Sequence, residues 1–157
     1  MKNKILESKT KIRFQDCDPF NHLNNSKYID YFFNAREDQL KNYYDLDIYK
    51  HAQESGFGWV VASNQIGYLK PAFTVEEICI ETQLINYSSS SLQVEMRMFN
   101  EKKSNLKAIM WSRFVYFDMK NQKPGLHSKD FMDLFKSAIL KVPEFVFDDR
   151  IKAKVKK

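Results

Sequence analysis

The sequence predicts an α+β fold in which an antiparallel sheet curls around one long helix. Two observations support this fold: one helical segment is apolar over most of its surface, and polarity alternates with period two along much of the chain after it. Only four glycines and four prolines punctuate 157 residues, so the elements are expected to be long and their connections short. The length and the 43% apolar content fit a single packed domain over residues 1–157, with its core at about 8–120.

The long helix is predicted from Ser26 to about Lys41, with Asn24 or Asn25 as its N-cap. Its apolar face is unusually wide for a helix lying on a surface. A helix of this kind needs other elements around it. The residues of that face are Ile29, Phe32, Phe33, Arg36 (through its stem) and Leu40, widened by Tyr28, Tyr31 and Ala35.

The strands follow from alternation. Thr10, Ile12 and Phe14 predict a first half-buried strand that ends by Pro19, and a short helix or irregular segment is expected at 43–53. Four more strands are predicted at 57–69, 78–84, 92–98 and 106–117, the last three as an antiparallel meander, and a final helix at about 128–141. Such a sheet leaves an open edge, so we expect a homodimer formed by sheet extension.

Composition excludes several classes of protein. No apolar run is long enough for a membrane span, and two cysteines are too few for a secreted disulfide framework, so a cytoplasmic protein is expected. The net charge of +5 collects towards the ends, and the basic tail IKAKVKK at 151–157 is expected to be solvated, with a weak attraction to phosphates or acidic partners as the alternative. Neither a helix-turn-helix pattern nor an RNA-binding aromatic signature is present, so no nucleic-acid partner is expected.

The candidate site lies between Arg13 and Arg36. Asp16 and Asp18 would point the same way in an extended chain, and His22 follows just before the helix start. A carboxylate facing the free N–H groups of a helix N-terminus can cleave an activated acyl group. The alternative is that both aspartates only bond the backbone of the loop, and that His22 only stabilises it.

Two other chemistries fit this segment poorly. Cys17 lies between two carboxylates, which disfavour its thiolate, so it is not expected to be a nucleophile. Asp16, Asp18 and His22 could bind a metal on paper, but no second ligand cluster follows. The sequence therefore predicts neither a metal site nor a cofactor.

Two motifs carry a family resemblance. FQDCDPFNHLNNSKYIDYF at 14–32 resembles the Asp-x-Asp-x-x-Gly-His-Val-Asn-Asn-x-x-Tyr signature of the hotdog-fold acyl-CoA thioesterases, the 4-hydroxybenzoyl-CoA thioesterase-like group. IGYLKPA at 66–72 resembles the Tyr-Leu-Arg-Pro-Ala strand end of the same group. The resemblance covers about residues 8–120.

The resemblance implies a sheet wrapped around a long helix, in a homodimer or homotetramer with active sites at the dimer interface. Asp18 falls on the nucleophile or general base, and the backbone N–H of Asn25 falls where the family polarises the thioester carbonyl. His22 and Asn24 occupy further signature positions, and Asp16 is expected to shape the loop. The predicted catalytic residues are Asp18, His22 and Asn25. Asn24, Phe20, Tyr28 and Lys70 are the predicted substrate-binding residues.

The chain also departs from the signature. Asn21 replaces the glycine before His22, but asparagine tolerates the left-handed backbone such a turn needs. Ser88–Ser91 stands where relatives often carry a basic residue, which leaves coenzyme A and an acyl-carrier protein both open as the thiol carrier. A non-catalytic acyl-binding dimer is the alternative from another class. Enoyl-CoA hydration is disfavoured, because the Asp–His spacing of hotdog hydratases matches neither Asp18–His22 nor Asp16–His22.

Overall fold

The computed structural model describes residues 3–155 and confirms the predicted sheet around a long helix. Its strands are β1 (Ile5–Lys11), β2 (Phe57–Tyr68), β3 (Glu77–Tyr87), β4 (Ser91–Asn100), β5 (Leu106–Asp118) and the two-residue β6 (Lys123–Pro124). Its helices are α1 (Tyr28–Tyr44), α2 (Ile48–Ser55), α3 (Lys129–Ala138) and α4 (Phe147–Val155). No helix within residues 3–155 is both long and apolar enough to cross a bilayer.

All strand pairs are antiparallel, in the order β1-β3-β4-β5-β2, with β6 added to β5. The register slips at Val61/Ser63, Leu84/Asn86 and Met98/Phe99, and irregularities of this kind bend a sheet. Residues 107–112 of β5 are buried without a break, as expected for a central strand covered on both faces. The predicted meander of the last three long strands is confirmed.

Helix α1 fills the concave side of the sheet. Phe32 is fully buried, and Tyr28 and Ala35 lie with it in a core that includes Ile80 and Met96 from the sheet. Burying this wide apolar face is what stabilises the wrapped arrangement, at roughly 25 cal/mol per Å² of apolar surface. The helix ends at Asp45, whose left-handed backbone (φ 52°) lets its N–H bond the last carbonyls.

The convex side is covered by α4, which the sequence analysis missed. Phe147 packs edge-on against Trp111, at 5.3 Å between ring centroids, and Arg150 is buried against Glu95. Residues 151–155 of the tail that was expected to be solvated form the end of this helix, where Lys152 and Val155 are exposed, and residues 156–157 lie outside the described part. A charge-rich helix with few apolar residues gives little periodicity to detect.

The ends of the first strand and of the final predicted helix also differ from prediction. The first strand ends at Lys11, and Phe14 is 79% exposed at the start of a short 3-10 helix, Phe14–Asp16. The apparent alternation of Thr10, Ile12 and Phe14 therefore extended the strand too far. The final helix begins after its predicted cap, Ser128, but ends at Ala138, before the predicted end at about residue 141.

Candidate active site

The loop between β1 and α1 is fastened to the segment that follows β2. The Leu23 N–H bonds the Ala72 carbonyl at 2.7 Å, and the Thr74 N–H bonds the Asn21 carbonyl at 2.9 Å. The Tyr28 hydroxyl accepts the Ala72 N–H at 3.1 Å. The two motifs that carried the family resemblance are thus one structural unit, in which the second holds the first in place.

Asn21 adopts the left-handed conformation expected of it, with φ 65°. This geometry favours glycine and, after it, asparagine, because a Cβ crowds the following carbonyl. The turn is closed by the Asn21 N–H, which bonds the Asp18 carbonyl at 3.0 Å. The loss of the signature glycine therefore leaves the turn intact.

Asp18 is half-buried, and one of its carboxylate oxygens is held by the loop. Oδ1 accepts the N–H groups of Phe20 at 2.9 Å and His22 at 3.2 Å. Oδ2 accepts no hydrogen bond from any residue between 3 and 155. The two backbone bonds fix the orientation of the carboxylate, while the second oxygen stays available for chemistry.

Asp16 is held by the helix instead. Its Oδ2 accepts the Tyr31 hydroxyl at 2.6 Å, and its carbonyl accepts the Asn24 N–H at 2.9 Å. Both contacts tie the loop to the start of α1. The role of Asp16 in shaping the loop stays a prediction.

The helix start is a 3-10 turn, Asn25–Lys27, that runs directly into α1. Asn24 caps it, since its Oδ1 accepts the Ser26 N–H at 3.1 Å. The Asn25 N–H donates to no other residue in the described range, while the Asn25 carbonyl accepts the Tyr68 hydroxyl at 3.0 Å. A free backbone donor at the positive end of a long helix suits a developing oxyanion.

The remaining predicted residues lie around this loop. His22 is half-buried with its ring edge-on to Phe73, at 5.2 Å between centroids. Phe20 is 78% exposed, Tyr28 is buried in the core, and the exposed Lys70 donates to Asn105 at 2.9 Å. Substrate binding by Phe20, Tyr28 and Lys70 stays a prediction.

A second feature, which the sequence did not reveal, is an apolar cavity of about 380 Å³ between the second half of α1, α2, α3 and the sheet. Phe33, Trp59, Leu92 and Phe114 are among its walls. Arg36 also lines it, although the sequence analysis counted this residue as apolar through its stem. Only the packing of distant elements creates this space, so no local pattern indicates it.

Histidine and cysteine side chains elsewhere have structural environments. His127 accepts the Trp59 indole N–H at 3.0 Å, and His51 bonds the Tyr116 hydroxyl at 2.8 Å. Burial, with a hydrogen bond to Glu7, raises the pKa of the Cys79 thiol to about 12. Over residues 3–155, no three His, Cys, Asp or Glu side chains converge as a metal site requires.

Comparison with known proteins bears on this loop and fold together. The family model described as "Thioesterase-like superfamily" matches residues 12–147, which include the loop, α1 and the four long strands β2 to β5 but not β1. The chain belongs to this superfamily. That membership confirms the prediction of a thioester hydrolase and the resemblance that pointed to it.

One relative is similar over most of its length. The long-chain acyl-CoA thioesterase FadM of Escherichia coli is 26% identical over 118 residues, covering 75% of this chain and 87% of FadM. The match leaves a quarter of this chain and 13% of FadM outside it, so the likeness concerns most of each protein.

Solved structures confirm the hotdog fold. A DHNA-CoA thioesterase from Staphylococcus aureus superposes with a TM-score of 0.77 at 18% identity, covering 85% of this chain and 89% of that one. A hypothetical protein from Staphylococcus aureus in complex with CoA gives 0.78 at 10% identity, covering 92% and 91%. At these identities the likeness concerns the fold.

Proposed function

We propose that this thioesterase hydrolyses acyl-CoA thioesters, with Asp18 as nucleophile or general base and the Asn25 N–H as the oxyanion donor. The main support for this proposal is the difference between the two carboxylate oxygens of Asp18. Oδ1 is fixed by two backbone N–H groups, while Oδ2 accepts no hydrogen bond from the described residues. The name of the Escherichia coli relative supports acyl-CoA as the substrate class.

In the proposed reaction the thioester carbonyl oxygen lies against the Asn25 N–H, where the helix dipole favours negative charge. Asp18 Oδ2 then attacks the carbonyl carbon, or removes a proton from a water that attacks it. The C–S bond breaks and the thiolate leaves with the electron pair. In the first route, water hydrolyses the resulting anhydride and restores the carboxylate. His22 and Asn24 hold the loop on either side of the reacting groups.

A homodimer is part of this proposal. Strand β2 pairs only with β5 within the described residues, and Val61–Gln65 are exposed along it. Phe20 and Phe73, exposed at 78% and 45%, lie on the candidate site loop and the segment fastened to it. An open edge strand and exposed aromatic side chains favour a second copy as partner. Analytical ultracentrifugation would measure the mass of the assembly and so distinguish a dimer from a monomer or a tetramer.

The catalytic assignment is tested by Asp18→Asn. The amide keeps the size of the side chain and can accept the same two N–H bonds, but it is a far weaker nucleophile and base. We expect kcat for acyl-CoA hydrolysis to fall by at least roughly a hundredfold, with the thermal transition little changed. Asp38→Asn, on the exposed side of α1, is the matched control and should be near wild type. An unchanged rate in Asp18→Asn would rule out this mechanism.

The same assay separates the alternatives. A non-catalytic acyl-binding dimer would bind acyl-CoA without releasing a free thiol. The Ser88–Ser91 turn bears on the carrier, because the Ser88 hydroxyl oxygen accepts the Ser91 N–H at 3.0 Å and the two hydroxyls bond each other at 2.6 Å. These groups already bond each other within the turn, so only weak binding of a coenzyme A phosphate is expected there. Comparing acyl-CoA with acyl-carrier protein at matched chain length decides the carrier. A cytoplasmic location stays a prediction.

A further inference from the structure

Arg36 places a positive charge in the wall of the apolar cavity. Its neighbours there include Phe33, Leu40, Leu84 and Val94, all of them apolar. Tyr49 and Met119 also line the cavity and are 64% and 41% exposed, so the cavity reaches the surface on their side. An apolar cavity with one guanidinium in its wall is unusual for a void left by imperfect packing, because burying a charged group is costly.

Arg36 has no carboxylate partner within residues 3–155. Its one hydrogen bond there is from Nη1 to the Thr82 hydroxyl oxygen, at 2.9 Å. Glu37 is the acidic residue of the cavity wall, and its carboxylate accepts the Tyr49 hydroxyl at 2.6 Å without pairing with Arg36. Tyr44, also in the wall, is the other titratable group that acts on Arg36.

The neutral partner of Arg36 is itself fixed. The Thr82 hydroxyl donates to Gln39 Oε1, so its oxygen is left to accept from Arg36. Gln39 is fully buried and donates to the Ile80 carbonyl at 3.0 Å and to Ser8 at 2.9 Å. This chain of bonds anchors one edge of the guanidinium to the sheet, and its other N–H donors bond no group of residues 3–155.

A half-buried guanidinium with no carboxylate partner among residues 3–155 is costly to the free protein. Burial lowers the pKa of Arg36 to about 10, which still leaves it charged at neutral pH. Arginine binds carboxylates through two parallel N–H bonds, and such pairs are strongest where water is excluded. A ligand that brings a carboxylate into the cavity would therefore gain more there than at the surface.

We propose that the cavity takes the acyl chain of the substrate and that Arg36 binds a carboxylate at the far end of that chain. The preferred substrates would be ω-carboxyacyl thioesters, the monothioesters of dicarboxylic acids. The apolar walls suit the methylene chain, and the guanidinium suits the terminal group. This inference rests on the proposed thioesterase function, because it names the substrate class of the same enzyme.

The test compares two chain-matched series of CoA thioesters with the purified protein. Adipoyl-, suberoyl- and sebacoyl-CoA carry a terminal carboxylate, and hexanoyl-, octanoyl- and decanoyl-CoA do not. Arg36→Met keeps an unbranched stem without the charge, Arg36→Lys keeps the charge, and Lys129→Met removes an exposed cation on α3 as a control. A thermal melt of each variant reports folding, and an apolar side chain is expected to be tolerated in this cavity.

We expect the wild type to prefer the carboxylate series at its best chain length. Arg36→Met should lower kcat/KM for that series roughly ten- to a hundredfold, mainly through KM, and leave or improve the neutral series. Arg36→Lys should retain part of the preference, and Lys129→Met all of it. Equal losses in both series, or a wild type that rejects the carboxylate series, would overturn the inference while thioester hydrolysis stands.

Two further arms complete the test. If neither series is hydrolysed, the proposed function fails, and calorimetric titration with suberoyl- and octanoyl-CoA still decides the inference. Tighter binding of suberoyl-CoA that depends on Arg36 supports it, and equal binding contradicts it. Free octanoate tests whether Arg36 instead binds the carboxylate of the released fatty-acid product. If octanoate inhibits through Arg36 while suberoyl-CoA turnover does not depend on Arg36, the residue binds the product and the inference is wrong.

Discussion

Tyr31 and Asp16 tie the candidate site loop to the long helix. The Tyr31 hydroxyl donates to Asp16 Oδ2 at 2.6 Å and accepts the Arg13 N–H at 2.9 Å. Burial, with the Asp16 bond as the next cause, raises the pKa of Tyr31 to about 12, so the hydroxyl keeps its proton for this bond. One side chain of α1 therefore holds both the beginning of the loop and its first aspartate.

Replacing Tyr31 with Phe should weaken this attachment without touching Asp18. The Asp16 carboxylate and the Arg13 N–H lose their partner, at a cost of about 1–3 kcal/mol in the free energy of unfolding. Activity should fall less than in Asp18→Asn, because the reacting groups remain. Urea unfolding and steady-state hydrolysis measure the two effects. A variant with full stability would show that the Tyr31 bond contributes nothing to the fold.

Asn21 offers a test of the signature position. Restoring glycine by Asn21→Gly should change stability by less than about 1 kcal/mol, because glycine adopts φ 65° without strain. Asn21→Val places a β-branched residue in the left-handed region and should destabilise by about 1–2 kcal/mol or more, with a matching loss of activity. Thermal melts of the pair check both. Equal melts would mean that the turn relaxes to another conformation.

Glu95 neutralises buried guanidinium groups between the sheet and α4. Its Oε2 accepts Arg150 Nε and Trp111 Nε1, each at 2.8 Å, and Arg97 bonds its other oxygen. Glu95→Gln leaves Arg97 and Arg150 without this counter-charge. We expect a loss of roughly 3–5 kcal/mol in the free energy of unfolding, towards the lower end because Glu81 and Glu144 remain as partners. Glu101→Gln, in an exposed turn, is the control for urea unfolding.

The Glu95 carboxylate also affects how the free energy of unfolding decreases at acid pH. Burial alone would raise the pKa of Glu95, but hydrogen bonds from Arg150 and Trp111 and the Arg97 charge hold it below its ordinary value. A depressed pKa stabilises the fold above the unfolded value of about 4.3, and that contribution is lost as the pH falls through the folded value. The loss of stability at acid pH should therefore be smaller in Glu95→Gln than in the wild type. An unchanged loss would argue against a stabilising interaction of Glu95 with Arg97 and Arg150.

His127 predicts a second pH effect. Its Nε2 accepts the Trp59 indole N–H, so Nδ1 carries the proton and donates to the Ser88 carbonyl at 3.1 Å. Burial lowers the pKa of His127, although the Ser88 bond opposes the shift, and burial also lowers the pKa of His51 nearby. A lowered pKa means that the unfolded chain binds the proton first, so stability should fall as the pH drops below about 6.5.

His127→Gln keeps both hydrogen bonds with a group that does not titrate. The decrease in melting temperature between pH 7 and pH 5 should be smaller in this variant than in the wild type. NMR titration of the imidazole would report the folded pKa directly. A folded value at or above that of a free histidine would contradict the prediction.

Local patterns were sufficient for the elements that define the fold. The wide apolar face of α1, the caps at Asn24 and Ser128, and the period-two strands each depend on residues close in sequence. The turn residues and helix start of the Asp18 loop are also contiguous, but spacing alone left a turn and a site both open, and the family resemblance made Asp18 the predicted catalytic residue. The first strand was extended wrongly to Phe14 because alternation does not distinguish a strand from a short extended lead into a turn.

The sequence by itself determined the wrapped sheet, the long helix and the neighbourhood of Asp18, since periodicity and turn residues act over a few positions. Tertiary structure alone decided three other features: α4 on the convex face, the different hydrogen-bond partners of the Asp16 and Asp18 carboxylates, and the charged cavity around Arg36. Each depends on side chains that are far apart in the chain and meet only after the sheet has curled. The burial and the hydrogen-bond partners of these side chains follow from that packing, and no local sequence pattern indicates them.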